Sequence, residues 1–146
     1  MGPLSEPSLP ERFWPEGRGF GSGPANEDGL RLRAFPGEDG GAEAEWTADE
    51  RFASAVPGVL HGGIVSSLLD EIGGWAVMLA LSSETISPIV LAEYTVRLRR
   101  PTPTGRPLRV RGRVVELDER GALTESTVEH NGEITATAAG RYVRLG

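Results

Sequence analysis

The stretch His61-Gly62-Gly63-Ile64-Val65-Ser66-Ser67-Leu68-Leu69-Asp70-Glu71 opens the longest apolar run of the chain, which continues to Leu81. On a helical wheel, Ile64, Val65, Leu68, Leu69, Ile72, Trp75, Ala76 and Leu79 gather on one broad face. Their spacing predicts a helix over 62–81, about 30 Å long at 1.5 Å per residue. The opposite face carries Ser66, Ser67, Asp70, Gly73 and Gly74, nearly all small, with Val77 and Leu81. Two glycines inside a helix each cost roughly 1 kcal/mol against alanine. A second helix or a ligand is therefore expected to approach that face closely.

Working outward, the period changes from helical to two. Before the helix, Leu30, Leu32 and Ala34 alternate with Arg31 and Arg33, and a turn over 36–41 leads to a second short strand from Ala42 to Thr47. After it, Ala92, Tyr94, Val96 and Leu98 alternate with Glu93, Thr95, Arg97 and Arg99. Leu108, Val110, Gly112 and Val114 then alternate with Arg109, Arg111 and Arg113. Two further strands are expected over 121–130 and 133–145, joined by Asn131-Gly132, a dipeptide suited to a two-residue hairpin. Two strands, one long helix and four antiparallel strands make an α+β fold with a sheet of about six strands.

The chain has 146 residues, room for one domain with its own core. Five Pro and five Gly fall within the first 28 residues, so residues 1–16 read as a flexible arm and 17–146 as the domain. Phe13, Trp14 and Phe20 offer apolar anchors. Packing is expected from about Phe13 onward, with the first ten residues disordered.

Composition removes whole classes of chemistry. Without cysteine or lysine the chain has no thiolate nucleophile, no Cys-bound metal and no Schiff-base amine. Two histidines, His61 and His130, are too few for a His-rich metal site. A net charge of -6 argues against nucleic acid as a partner. The excess acid lies in residues 1–60, with 5 Arg against 11 acids, whereas residues 61–146 balance at 10 of each. Between Arg97 and Arg113 stand seven Arg and no acid, which reads either as a solvated strand face or as an attraction for a polyanionic ligand. Asp70 and Glu71 in the middle of the apolar run speak against a membrane span. The first 28 residues lack the basic start and apolar run of a signal peptide, so a cytoplasmic location is expected.

Chemistry concentrates at the start of the central helix. Backbone N–H groups there have no intrahelical acceptor, and Gly62 and Gly63 carry no Cβ to hold a ligand oxygen away from them. Such a donor, aimed at a thioester or ester carbonyl, is worth roughly 10²- to 10³-fold in rate. Asp70, two turns on and on the small-residue face, is placed to point into the same cleft, as a nucleophile or as a base that activates water. Gly63, Ser66 and Ser67 border that approach as substrate-binding candidates. Taken singly, a Gly-Gly is a hinge, a histidine before a helix is a cap, and an acidic pair is a solvated patch. Their coincidence on one helix carries the reading.

His61-Gly62-Gly63 followed by Asp70 and Glu71, on a long helix between a two-strand start and four strands, resembles the hotdog-fold acyl-CoA thioesterases, in the branch of phenylacetate-pathway and thioesterase-superfamily-member enzymes. The segment Gly19-Phe20-Gly21-Ser22-Gly23-Pro24-Ala25-Asn26-Glu27-Asp28-Gly29-Leu30 is similar to a Cys-Phe-Gly-Cys-Gly motif of many members, with both cysteines replaced, and Arg99-Arg100-Pro101-Thr102-Pro103-Thr104-Gly105 is similar to a family strand end. The resemblance spans about residues 17–145. It implies a sheet wrapped around the helix, and a dimer with sheets joined edge to edge and sites at the subunit boundary. In those sites the Gly62 amide polarises the thioester carbonyl, Asp70 attacks it or activates water, and His61 arranges the site. Some members place Ser or Thr beside the reacting centre where this chain has Leu91, with Ser87, Thr95 or the partner helix left to compensate. Glu71 is expected in a supporting, structural place. CoA carries phosphates, for which Arg100 and Arg106 are the candidate contacts.

The expected activity is hydrolysis of an acyl-CoA to a free acid and CoA, by a homodimer or dimer of dimers, with no metal or organic cofactor and neither nucleic acid nor membrane as partner. The alternative is a non-catalytic acyl-CoA-binding protein. A hotdog dehydratase requires an Asp/His pair at a different spacing.

Overall fold

The computed structural model describes residues 6–81 and 88–145. Along the chain run α1 (Leu9–Phe13), β1 (Phe35–Pro36), β2 (Ala42–Thr47), a 3-10 turn (Glu50–Phe52), α2 (Gly62–Ala80), β3 (Ile89–Leu98), β4 (Pro107–Leu117), β5 (Gly121–His130) and β6 (Glu133–Arg144). The strands form one antiparallel sheet in the order β1-β2-β4-β5-β6-β3, and α2 packs on its inner face.

The periodicities explain the packing. Val65, Leu68, Leu69, Ile72 and Ala76 of α2 meet Ala44, Leu108, Val110, Val128 and Ala136 of the strands in one core. Each large aliphatic side chain buried there is worth roughly 1.5–3 kcal/mol. Along β4, buried Leu108, Val110 and Gly112 alternate with exposed Arg109, Arg111 and Arg113. A Cβ on Gly112 would lie 2.8 Å from the Ile72 carbonyl oxygen, so this glycine lets strand and helix backbones touch. The hairpin at Asn131-Gly132 is as expected, with both residues at positive φ (51° and 80°).

The small-residue face of α2 receives neither a second helix nor a ligand at Gly73. What approaches is the chain's own sheet: a Cβ on Gly73 would stand 2.6 Å from the Tyr142 hydroxyl. The β4 part of the cationic strip is a solvated strand face. Arg109 stands opposite Glu45 and Glu129, Arg111 opposite Glu43 and Thr127, and Arg113 pairs with Glu125 at 2.5 Å.

Two expectations near the N-terminus give way. Leu30, Leu32 and Ala34 are buried in alternation, yet they form no sheet strand, and β1 is confined to Phe35–Pro36. Their backbones bond to the preceding segment instead: the N–H groups of Leu30 and Leu32 donate to the carbonyls of Phe20 and Gly21, and Leu9 N–H donates to Ala34 O. Packing also begins earlier than Phe13. Ser8 caps α1 through a reciprocal capping box with Glu11, and Ser8, Leu9 and Pro10 are buried.

Candidate functional site

The start of α2 forms one half of the site. His61 is the N-cap, and its Nδ1 accepts from the Gly63 N–H at 2.8 Å, taking up one of the unpaired donors of the first turn. The neighbouring Gly62 N–H faces no acceptor among the described residues. Ser66 and Ser67 turn their hydroxyls back onto the Gly62 and Gly63 carbonyls at 2.8 and 2.9 Å, so both protons are used within the helix. Beside this entrance lies the loop after β3, fixed by Leu60 N–H to Thr102 O at 2.7 Å and by Thr104 N–H to Gly58 O at 3.0 Å. Arg100 and Arg106 stand at its two ends, and Arg100 pairs with the exposed Glu133 at 2.6 Å.

The other half surrounds Asp70. A cleft of about 410 Å³ opens between α2, the segment from Trp14 to Pro24 and the first residues of β3. Trp14, Trp75, Met78, Ile89 and Leu91 supply apolar walls, while Asp70, Glu71, Ser22 and Tyr142 bring polar atoms into it. Asp70 is half-buried, and the Tyr142 hydroxyl donates to its backbone oxygen at 2.7 Å and to Oδ1 at 3.0 Å. Burial pushes the Asp70 carboxyl above the ordinary aspartate value, and the tyrosine bond partly offsets that rise by favouring the ionised form. Glu71 is also raised, by burial first and in part by the Asp70 charge, against the lowering effect of a very short hydrogen bond from the Ser22 hydroxyl. Trp75 Nε1 donates in turn to Ser22 Oγ at 3.0 Å. Tyr94 donates to the Ser66 carbonyl at 2.8 Å, so both tyrosines of the chain anchor the sheet to α2 within one turn of each other.

The structure thus sorts the expected residues into two groups. His61, Gly62, Gly63, Ser66 and Ser67 lie at the helix start, with Arg100 and Arg106 on the adjoining loop, whereas Asp70 and Glu71 line the cleft. Within one chain they do not share a cleft, because eight residues of helix separate Gly62 from Asp70 by about 12 Å. Leu91 does stand in the cleft wall. Thr95 lies on the exposed outer face of β3 and offers the cleft nothing; Ser87 falls outside the described residues. Glu71 also lines the cleft, and its carboxylate accepts from the Ser22 hydroxyl.

Sequence reasoning named Trp14 as an apolar anchor and Ser22 within a family-like segment without assigning either to the site, and it missed Tyr142. Tyr142 did leave a signal: it continues the inward set Ala136, Ala138, Gly140 of β6, and a buried tyrosine hydroxyl requires a partner. Among the described residues no three His, Asp or Glu side chains converge as a metal site requires. What the two halves offer is a partly desolvated carboxylate and an unpaired backbone donor, the pieces of an acyl-transfer site.

Several solved structures share this fold. A solved thioesterase superfamily protein, 25% identical, matches with a TM-score of 0.74 over 90% of this chain and 63% of its own, so the present chain spans less than two thirds of that protein. The phenylacetic acid degradation-related protein of Ralstonia eutropha JMP134 is 21% identical, with a TM-score of 0.67 over 78% of this chain and 85% of that one. A Bacillus halodurans protein solved with CoA is 22% identical, with a TM-score of 0.67 over 80% of this chain and 76% of its own. No curated protein matches in sequence. The family model of the thioesterase superfamily matches residues 57–137, from just before the His-Gly-Gly to the middle of β6. With that match over more than half its length, on a six-stranded sheet carrying one long helix, the chain is a hotdog-fold protein and belongs to the thioesterase superfamily.

Proposed function

We propose that this protein hydrolyses an acyl-CoA thioester to the free carboxylic acid and CoA. The observation that carries the reading is Asp70, a carboxylate of raised pKa held by Tyr142 at the edge of an apolar cleft. In one route Asp70 takes a proton from water while the hydroxide attacks the thioester carbon; in the other its oxygen attacks directly, a mixed anhydride forms as the CoA thiolate leaves, and water then cleaves that anhydride. In both, the carbonyl oxygen gains negative charge facing the Gly62 amide, with His61 holding the first turn in place. The C–S bond then breaks, and the CoA thiolate leaves to be protonated.

The 12 Å between Gly62 and Asp70 along one helix calls for two chains, the amide from one protomer and the carboxylate from its partner. Strand β3 favours this, because it is a ten-residue sheet edge with Val90 and Leu98 exposed. Joining two such edges makes a homodimer, which a dimer of dimers would repeat. Arg100 and Arg106, beside the helix entrance, are placed for the CoA phosphates, and the Bacillus halodurans relative solved with CoA supports a CoA ester as ligand. The reaction calls on no metal or organic cofactor.

Leu91 in the cleft, where some relatives carry a hydroxyl, favours a second reading as a non-catalytic acyl-CoA binder. Thiol release from a panel of acyl-CoA esters separates the two. Wild type is expected to release CoA, and Asp70→Asn to lower kcat by at least about 10²-fold. Equal release by both would discard the mechanism, and binding without release by either would favour the binder.

A further inference from the structure

The segment Gly19-Phe20-Gly21-Ser22-Gly23 has no part in the hydrolytic step, yet it forms a wall of the cleft in which Asp70 stands. Two tight turns shape its backbone, closed by Gly23 N–H to Gly19 O and Gly17 N–H to Trp14 O, and Ala25 N–H donates across the segment to Gly17 O. Gly17, Gly19, Ser22 and Gly23 face the cleft, and Trp14 closes one side. Turns so rich in glycine have little side-chain packing to fix them.

On one side the Leu30 and Leu32 N–H groups hold the segment's Phe20 and Gly21 carbonyls; on the cleft side a polar clasp ties it to α2. Trp75 Nε1 donates to Ser22 Oγ at 3.0 Å, and the Ser22 hydroxyl donates its only proton to the Glu71 carboxylate. The chain of donors runs in one direction, from helix to turn and back to helix. The carboxylate lies so close to the Gly21 Cα that a Cβ there would overlap it, so glycine at 21 is a condition of the contact. Ser22 is 8% exposed and Glu71 is half-buried, so the clasp is partly shielded from competing water. A carboxylate beside Asp70 adds like charge to the site and loses hydration, and a solvated face would not retain it there. Holding the wall is the task its contacts describe.

We infer that Glu71 is a specificity-determining positioning residue: through Ser22, and with Trp75, it fixes the turn at 17–24 as the wall of the acyl cleft and so selects acyl groups large enough to fill it. The inference rests on the hydrolase reading for its kinetic consequence and on geometry alone for the clasp. With the clasp closed, an extended apolar acyl chain lies against Trp14, Trp75 and Met78, while an acetyl group leaves those walls untouched. With it open, the wall moves away and the advantage of the larger group is lost.

Two measurements on the full-length protein test this, with Ser22→Ala, Glu71→Ala and Glu71→Gln beside wild type. The first is kcat and KM for acetyl-, hexanoyl- and decanoyl-CoA. The second is the rate of tryptic cleavage after the exposed Arg18 in the native protein, followed by mass spectrometry. Wild type is expected to prefer a longer ester over acetyl-CoA. Ser22→Ala and Glu71→Ala should cut that preference about tenfold, mainly through KM, and speed cleavage after Arg18 by about as much. Glu71→Gln, whose amide oxygen still accepts from Ser22, should stay within about threefold of wild type in both. Should Glu71→Ala fail to fold, Ser22→Ala against Glu71→Gln carries the same comparison. An unchanged preference in Ser22→Ala, or an equal loss on every ester, overturns the inference. If wild type releases CoA from no ester, the hydrolase reading fails and the cleavage rates decide the clasp: faster in Ser22→Ala but not in Glu71→Gln supports it, and equal rates overturn it.

Discussion

Tyr142 has a single hydroxyl proton, which it shares between two oxygens of one residue, the backbone carbonyl and Oδ1 of Asp70. That bond favours the ionised carboxylate, whereas burial opposes it. Replacing Tyr142 by Phe leaves burial in place and removes the opposing bond, so the Asp70 pKa rises further. In the proposed hydrolysis Asp70 acts ionised, so activity is expected to be lost as pH falls through its pKa. The acid limb of the kcat–pH profile should therefore lie above the ordinary aspartate range in wild type and move to still higher pH in Tyr142→Phe. At neutral pH kcat should fall about tenfold for loss of a charge-assisted hydrogen bond. An acid limb at the same pH in both proteins would remove Tyr142 from the mechanism and leave it a packing residue.

Within α2, two adjacent glycines with the same helix propensity meet different surroundings. A Cβ at Gly73 would stand 2.6 Å from the Tyr142 hydroxyl and 3.2 Å from Ser126 Oγ; at Gly74 its nearest neighbour would be a Tyr142 ring carbon at 3.9 Å. Gly73→Ala should cost about 1–3 kcal/mol by overpacking and push Tyr142 off Asp70. Gly74→Ala should instead stabilise by up to about 1 kcal/mol. Urea unfolding of the two variants checks both signs, and a stabilised Gly73→Ala would refute the close approach.

This contrast marks what was legible in the chain. Helical periodicity located α2 to within a residue at its end, and Asn131-Gly132 placed the β5–β6 hairpin, because both signals are local. Alternation at Leu30, Leu32 and Ala34 misled because it reports burial, and burial does not specify which backbone supplies the hydrogen bonds; here the segment from Phe20 supplies them. Asp70 stood out as a candidate from its place on the small-residue face. Its partner did not, since Tyr142 lies 72 positions away and no sequence pattern states the register of a strand against a helix. The same holds for Ser22 and Glu71, 49 positions apart.

For the whole molecule, the separation of Gly62 from Asp70 makes a composite dimer site testable by complementation. Gly62 is the first residue of α2, where proline is tolerated, and His61 has the extended ψ of 133° that a following proline prefers. Gly62→Pro thus deletes the proposed N–H donor and keeps the helix start. Alone, Gly62→Pro and Asp70→Asn should each be nearly inactive. Co-expressed, half of the dimers are mixed, and each mixed dimer has one intact site, so the pool should recover about a quarter of wild-type activity. Recovery no greater than that of the separate variants would place both groups in one protomer's site.

The order of strands in the sheet also differs from their order in the chain. Strand β3 pairs with β6 alone, although β4 and β5 are made between them. At roughly 5–20 residues per second of synthesis, a nascent chain holds an unpaired, apolar ten-residue strand for some seconds before its partner leaves the ribosome. During that interval the unpaired edge of β3 is open to pairing with another chain. The edge proposed to join two copies of the chain is thus also a hazard during its birth.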